Sequence, residues 1–161
     1  MAITKAPDHT GISVKIIDLV DGALPASPYT GALPIGHMDD FEAIIGGTRP
    51  VKKYTPINDR DYEQIVSTGA IEYTEFNATV LFDFNSEEGA NKLHKAFLDN
   101  TEIGLVIELK DKLAQAGKDT TIAQVIKVSE FSIGGEKDGK QKATIKAEKI
   151  GKPVVTKATK D

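Results

Sequence analysis

The clearest order in the chain lies at residues 71–84. Phe76, Ala78, Val80, Phe82 and Phe84 fall on one side of an extended segment there, with Tyr73, Glu75, Asn77, Thr79, Leu81 and Asp83 on the other. That alternation marks a strand with one face in the core and the other in water or against a partner. Asn85-Ser86-Glu87-Glu88 then predicts a helix start, a capping side chain followed by acids in the first turn. Ala90, Leu93 and Phe97 recur at helical spacing with Lys92 and Lys95 opposite them, predicting a short amphipathic helix that stops near Asp99-Asn100 and covers one sheet edge. Residues 103–109 read as a strand and residues 116–119 as a turn. Residues 122–133 form another long strand, whose apolar parity slips between Val125 and Ile126, the mark of a bulge. GGEKDG at 134–139 predicts a hairpin, and the returning strand places Ala143, Ile145 and Ala147 on one face against Lys140, Lys142, Lys146 and Glu148 on the opposite one.

The first half is less regular. Residues 10–20 carry enough Ile and Val for a strand closed by Asp21-Gly22. Prolines 25, 28 and 34 and glycines 22, 31 and 36 then predict a long loop over residues 22–40. Residues 41–45 and 51–57 are short strand candidates within or beside a second long loop, 46–69. Loops of this length in a compact domain are usually functional. Having few apolar residues, both are expected to order fully only on assembly. Residues 1–11 read as an N-terminal arm and residues 152–161 as a basic C-terminal tail.

At 161 residues the chain is sized for a single domain, and with no cysteine it holds neither disulfides nor thiolate metal sites. The net charge is −4, but residues 1–135 carry −8 and residues 136–161 carry +4. An acidic chain is a poor sequence-independent nucleic-acid binder. The Lys-rich end has no Arg and no interleaved aromatic for base stacking. No export signal or membrane span is expected, so synthesis in the cytosol is.

Candidate chemistry is sparse. GGEKDGKQ at 134–141 matches G-x-x-x-x-G-K but lacks the following Ser or Thr and runs into a strand pattern, which favours a hairpin over a phosphate loop. His9, His37 and His94 show no metal-ligand spacing, and no serine sits in a nucleophile elbow. Paired acids such as Asp39-Asp40 and Glu87-Glu88 read as solvated faces and caps. Asn77-Ala78-Thr79 fits a glycosylation pattern but lies mid-strand.

An ordered set of features carries a family likeness: the apolar strand at 79–84, Glu88-Gly89 opening a helix with Leu93 and Phe97, the strand at 103–109, the hairpin about Gly134-Gly135, and Ile150-Gly151-Lys152-Pro153. Together they resemble the major tail tube protein of long, non-contractile-tailed bacteriophages over residues 71–153. The order of the set, not any one motif, makes the likeness specific. The resemblance implies a mainly β, antiparallel β-sandwich or barrel-like tail tube fold with one flanking α-helix and long loops. It implies hexameric rings whose sheets join into one inner barrel, and rings that stack through the termini and a long loop. It also implies a negatively charged lumen through which DNA passes without specific binding. The implied partners are further copies of the chain, a tail-tip initiator, a tape measure protein and a tail terminator, in a virion tail built in a bacterial host's cytoplasm. No catalytic site, cofactor, metal or membrane insertion is implied, nor a further immunoglobulin-like domain.

Candidate lumen acids are Glu72, Glu75, Asp83, Glu102, Glu108 and Glu130, on strands or at their ends. Candidate inter-ring contacts are Arg49, Lys52, Lys53, Asp59 and Asp61 in the second loop and Lys149, Lys152 and Lys157 at the basic end. The charge split suggests that this basic end meets acidic surface of another copy across a head-to-tail interface. Alternatives are the tube protein of a contractile tail or a type VI secretion-like device, a small β-sandwich binding module, and an enzyme. The absence of Trp and the presence of only four Tyr weaken a carbohydrate platform.

Overall fold

The computed structural model describes residues 12–36, 38–42, 46–58, 61–67, 69–85, 88–135, 139 and 141–160. Its frame is a run of antiparallel pairings in the order β2 (Leu33–Pro34), β1 (Ser13–Ile17), β9 (Glu102–Glu108), β10 (Thr121–Gly134), β11 (Lys142–Thr156), β8 (Phe76–Leu81) and β3 (Met38–Glu42). Two small pairs stand beside it, β4 (Gly47–Thr48) with β7 (Glu72–Tyr73) and β5 (Val51–Tyr54) with β6 (Gln64–Ser67). The single helix found among the described residues, α1, spans Gly89–Asp99.

Register explains the core. Ile103, Leu105 and Ile107 of β9 lie opposite Ile126, Gln124 and Ile122 of β10, so all six share one sheet face. The same face continues through Val14 and Ile16 of β1, Ala143, Ile145 and Ala147 of β11, and Phe76, Ala78 and Val80 of β8. Ile16, Phe76, Val80 and Ile145 are fully buried, each contributing about 1.5–3 kcal/mol by leaving water. Ala90, Leu93 and Ala96 of α1 cover part of this face. Gly89 lets the helix start press inward, since a Cβ there would lie 2.9 Å from Ile16 Cγ1 and 3.0 Å from the Leu33 carbonyl oxygen.

Several elements depart from the sequence reading. α1 ends at Asn100 as expected, and the structure puts that residue in the left-handed conformation, but Glu88 makes no side-chain cap and the first turn holds no acid; Ser86 and Glu87 lie outside the described residues. Ala96, not Phe97, completes the buried stripe. Much of the 22–40 loop is packed: Leu24, Tyr29 and Ala32 lie on Ile17, Val106 and Ala123 of the other sheet face, and Ile35 is buried. Ile35 also donates to the Val14 carbonyl and accepts from Ala90. Residues 46–69 are not a plain loop but contain β4, β5 and β6. Residues 152–161 are not a free tail, because β11 runs to Thr156 and Thr159 exchanges backbone hydrogen bonds with Lys118.

The expected bulge in β10 becomes two irregularities. Between Val128 and Glu130 the extra residue, Ser129, lies on β10. Between Ala123 and Val125 the partner strand skips from Val154 to Ile150, looping out residues 151–153 around Gly151, whose φ of 72° suits glycine. Gln124, only 6% exposed, donates from Nε2 to the Gly151 carbonyl at 2.7 Å and holds the loop in place.

Candidate functional site

Three surfaces are built by this frame. The first is the sheet face opposite the core, where β10, β11 and β8 present Lys127, Glu130, Lys142, Lys146, Glu148 and Thr79 in register. Lys146 Nζ sits 3.4 Å from Glu130 Oε2 across the ladder, so this face is charge-paired and not uniformly acidic. The second is the sheet's ends, β2 and β3, each of which has one side with no strand partner among the described residues. The third is the β5–β6 hairpin, all of whose strand residues are exposed. Arg49 at its root donates to the Gly69 carbonyl at 3.5 Å, and Tyr54 Oη donates to Gln64 Oε1 at 2.6 Å. A two-stranded hairpin alone is marginal in water.

The six acids proposed for a lumen do not form one surface. Glu102 and Glu130 lie on the charge-bearing face. Glu108 shares that side but pairs with Lys15 at 2.8 Å and Lys110 at 3.2 Å. Burial pushes its carboxyl up, but both ion pairs outweigh that and leave it below the ordinary carboxylate value. Glu72 is on β7, outside the large sheet, and Glu75 lies in the link to β8. Asp83 accepts from the Asn85 backbone N–H at 2.9 Å, the work of a turn residue.

Of the proposed inter-ring residues, Lys52 and Lys53 lie on β5, and Asp61 precedes β6; all three are exposed. Asp59 lies outside the described residues. Lys152 and Lys157 are exposed, whereas Lys149 is half-buried opposite Ile126, on the core side of β11, where desolvation pushes its ammonium pKa down. In sequence it passes for a surface lysine because Glu148-Lys149-Ile150 carries no visible parity across the Gly151 irregularity.

Of the remaining candidates, His9, His37, Glu87 and residues 136–138 and 140 lie outside the described residues. The G-x-x-x-x-G-K segment joins β10 to β11, strand to strand. His94 stacks among Phe82, Phe84 and Phe131, with ring centroids 4.9–5.9 Å apart. Among the described residues no group of three His, Asp or Glu could hold a metal, and no helix is long and apolar enough to cross a membrane.

What defines the described residues is therefore a curled antiparallel sheet with one helix and an exposed hairpin. This is the fold of tail tube subunits. Aligned with the tail of an empty gene transfer agent particle it gives a TM-score of 0.66 at 10% identity, covering 94% of this chain and 99% of that one. Against the SPP1 tail tube the score is 0.65 at 10% identity, over 96% of this chain and 81% of the other. Against a chain of the anti-feeding prophage baseplate it is 0.67 at 10% identity, over 97% and 98%. No family model matches the chain, and no curated protein is similar to it in sequence.

Proposed function

We propose that this chain is a structural tail tube subunit, whose copies close into hexameric rings that stack into the conduit for genome delivery. The observation that carries the reading is fold similarity along nearly the whole chain to subunits of such assemblies, one of them reconstructed with C6 symmetry. Physical features agree with it. Ring closure gives the end strands β2 and β3 pairing partners on the sides where no described strand pairs with them. The charge-bearing face of β8, β10 and β11 is the wall best suited to an aqueous lumen. DNA passes it without specific binding because carboxylates such as Glu102 and Glu130 offset the lysines at close range, within a Debye length of ~8 Å at physiological salt.

In this role the protein's work is positional and needs no cofactor or catalytic group. Its partners are neighbouring copies, a tail-tip initiator, a tape measure protein and a terminator, and its place is the virion tail after synthesis in the host cytoplasm. The hairpin and the basic end supply ring-to-ring contacts, with Arg49, Lys52, Lys53, Asp59, Asp61, Lys152 and Lys157 as the charged members. Lys149 joins them from its half-buried place on β11. Likeness to a chain of an extracellular contractile injection system, with a TM-score of 0.62 at 7% identity over 96% of this chain and 99% of that one, supports a second reading, the tube of a contractile device. Negative-stain microscopy with sedimentation of concentrated protein tests the proposal: rings or hollow tubes are expected, and a permanent monomer that binds a small ligand overturns it. A sheath protein co-purifying with the tubes selects the contractile variant.

A further inference from the structure

Beneath the β4–β7 pair the core-side face of the sheet is not filled. Ile71, Tyr73, Leu105, Ile107, Ile122 and Pro153 line a cavity of about 310 Å³ that opens to the surface. This is the small end of the range for ligand pockets, and it lacks the convergent polar groups that orient a small molecule. The amide of Gln124 is turned to Gly151, and Arg49 stands at the margin. A second hollow adjoins it, sharing Arg49, Ile71 and Tyr73 and carrying Lys149 and Lys152 together with Glu72 and Glu148. The combined basin is thus apolar at its floor and bears three cations against two carboxylates at its rim.

The chain also displays the complementary shape. The β5–β6 hairpin ends in Ile57, 86% exposed, and Tyr62, 68% exposed, large apolar groups left largely in solvent. Asp61 and Glu63 flank Tyr62, so the described part of the tip is apolar with negative charge. Such an exposed apolar group marks an interaction site. The hairpin springs from Arg49 and Gly69 beside the basin and is exposed along both strands, and none of its described strand or tip residues lines its own cavity.

We infer that the basin is the socket for the hairpin tip of a second copy, with Ile57 and Tyr62 entering between the β4–β7 pair and the sheet while Asp61 and Glu63 meet Arg49 and Lys152. The inference rests on the tube reading and specifies its contact. Knob and socket lie on different surfaces of one chain, so the contact is heterologous and propagates without limit, as a filament requires. Apolar burial supplies the affinity, and the opposed charges fix the register. The desolvated Lys149 lies at the edge of this socket, where a docked tip shields it further.

The chain has no cysteine, so a pair of introduced thiols has no background. Ile57→Cys with Ile71→Cys, bridged by a short bis-maleimide, is expected to give a ladder of covalent oligomers, while each single variant gives none beyond the dimer. A band of fast-migrating monomer cross-linked within one chain overturns the inference, because the tip then fills its own basin. Tubes seen by microscopy without a ladder also overturn it, while leaving the tube reading intact. Wild-type protein that forms neither rings nor tubes counts against the tube reading itself. Charge reversal provides an independent measure: Asp61→Lys or Lys152→Glu alone weakens association by roughly two- to fivefold, the scale of an exposed ion pair. The double variant recovers it. Additive losses in the double variant contradict the proposed facing.

Discussion

Replacing Gln124 by Glu changes almost no volume but removes the donor that holds the Gly151 carbonyl at 2.7 Å. At neutral pH the new group is a carboxylate, 6% exposed if it keeps the Gln124 position, facing another oxygen among apolar neighbours. Desolvation and this repulsion raise its pKa in the folded state, by about 2–3 units against the 3–5 found for fully buried groups. Each unit is worth about 1.4 kcal/mol, so the variant is about 3–4 kcal/mol less stable than the parent at pH 8. The sign follows from linkage. With the folded pKa above the unfolded one, the loss is complete above the folded value and shrinks as pH falls, because the protonated carboxyl of the variant can donate to Gly151 again. At pH 5 about 1 kcal/mol remains. Urea denaturation of parent and variant at both pH values reads this directly. For a slope near 2 kcal/mol/M, the midpoint falls by about 1.5–2 M at pH 8 and about 0.5 M at pH 5. Equal midpoints at pH 8, or the same deficit at both pH values, refute the claim that Gln124 anchors the looped-out segment of β11.

Three further outcomes follow from the same structure. Lys15→Met removes the nearer partner of Glu108, whose depressed folded pKa contributes stability that is present above the unfolded carboxylate value and lost as pH falls through the folded one. The variant therefore starts from a lower urea midpoint at neutral pH and loses less of it on the acid side than the parent, because the folded pKa of Glu108 moves back toward the unfolded value; parallel curves contradict this. Gly89→Ala forces a Cβ against Ile16 and the Leu33 carbonyl and lowers stability by about 1–3 kcal/mol, measured by thermal denaturation; an unchanged or higher midpoint contradicts the close approach. Glu102→Lys combined with Glu130→Lys makes the proposed lumen wall basic, so assembled tubes retain DNA fragments in a salt-sensitive pelleting assay. Parent-like pelleting removes that face from the lumen.

The strands that bury one face were legible from sequence because burial imposes parity: Phe76, Ala78 and Val80 on β8, and Ala143, Ile145 and Ala147 on β11, each alternate as read. The β5–β6 hairpin was not legible as a hairpin for the converse reason. All eight strand residues are exposed, so Val51 and Lys53 share a side with Ile65 and Ser67 and no hydrophobic period forms. Ile35 was hidden in a Pro/Gly-rich stretch, where composition signals a loop but cannot show what the loop packs on. Gly151-Lys152-Pro153 read as the end of structure, whereas the ladder resumes at Val154 because residues 151–153 loop out around Gln124. The candidate surfaces were legible only as segments. The charges of residues 46–69 and of the basic end could be named, but their position around one apolar basin depends on long-range pairing.

The central claim is that copies of this chain close around an open axis with one particular face inward. A helical reconstruction of assembled particles by electron cryo-microscopy tests that most directly. It is expected to show a hollow core walled by β8, β10 and β11, with Lys127, Glu130 and Lys146 directed toward the axis. A filled axis, or the same residues on the outer surface, contradicts it.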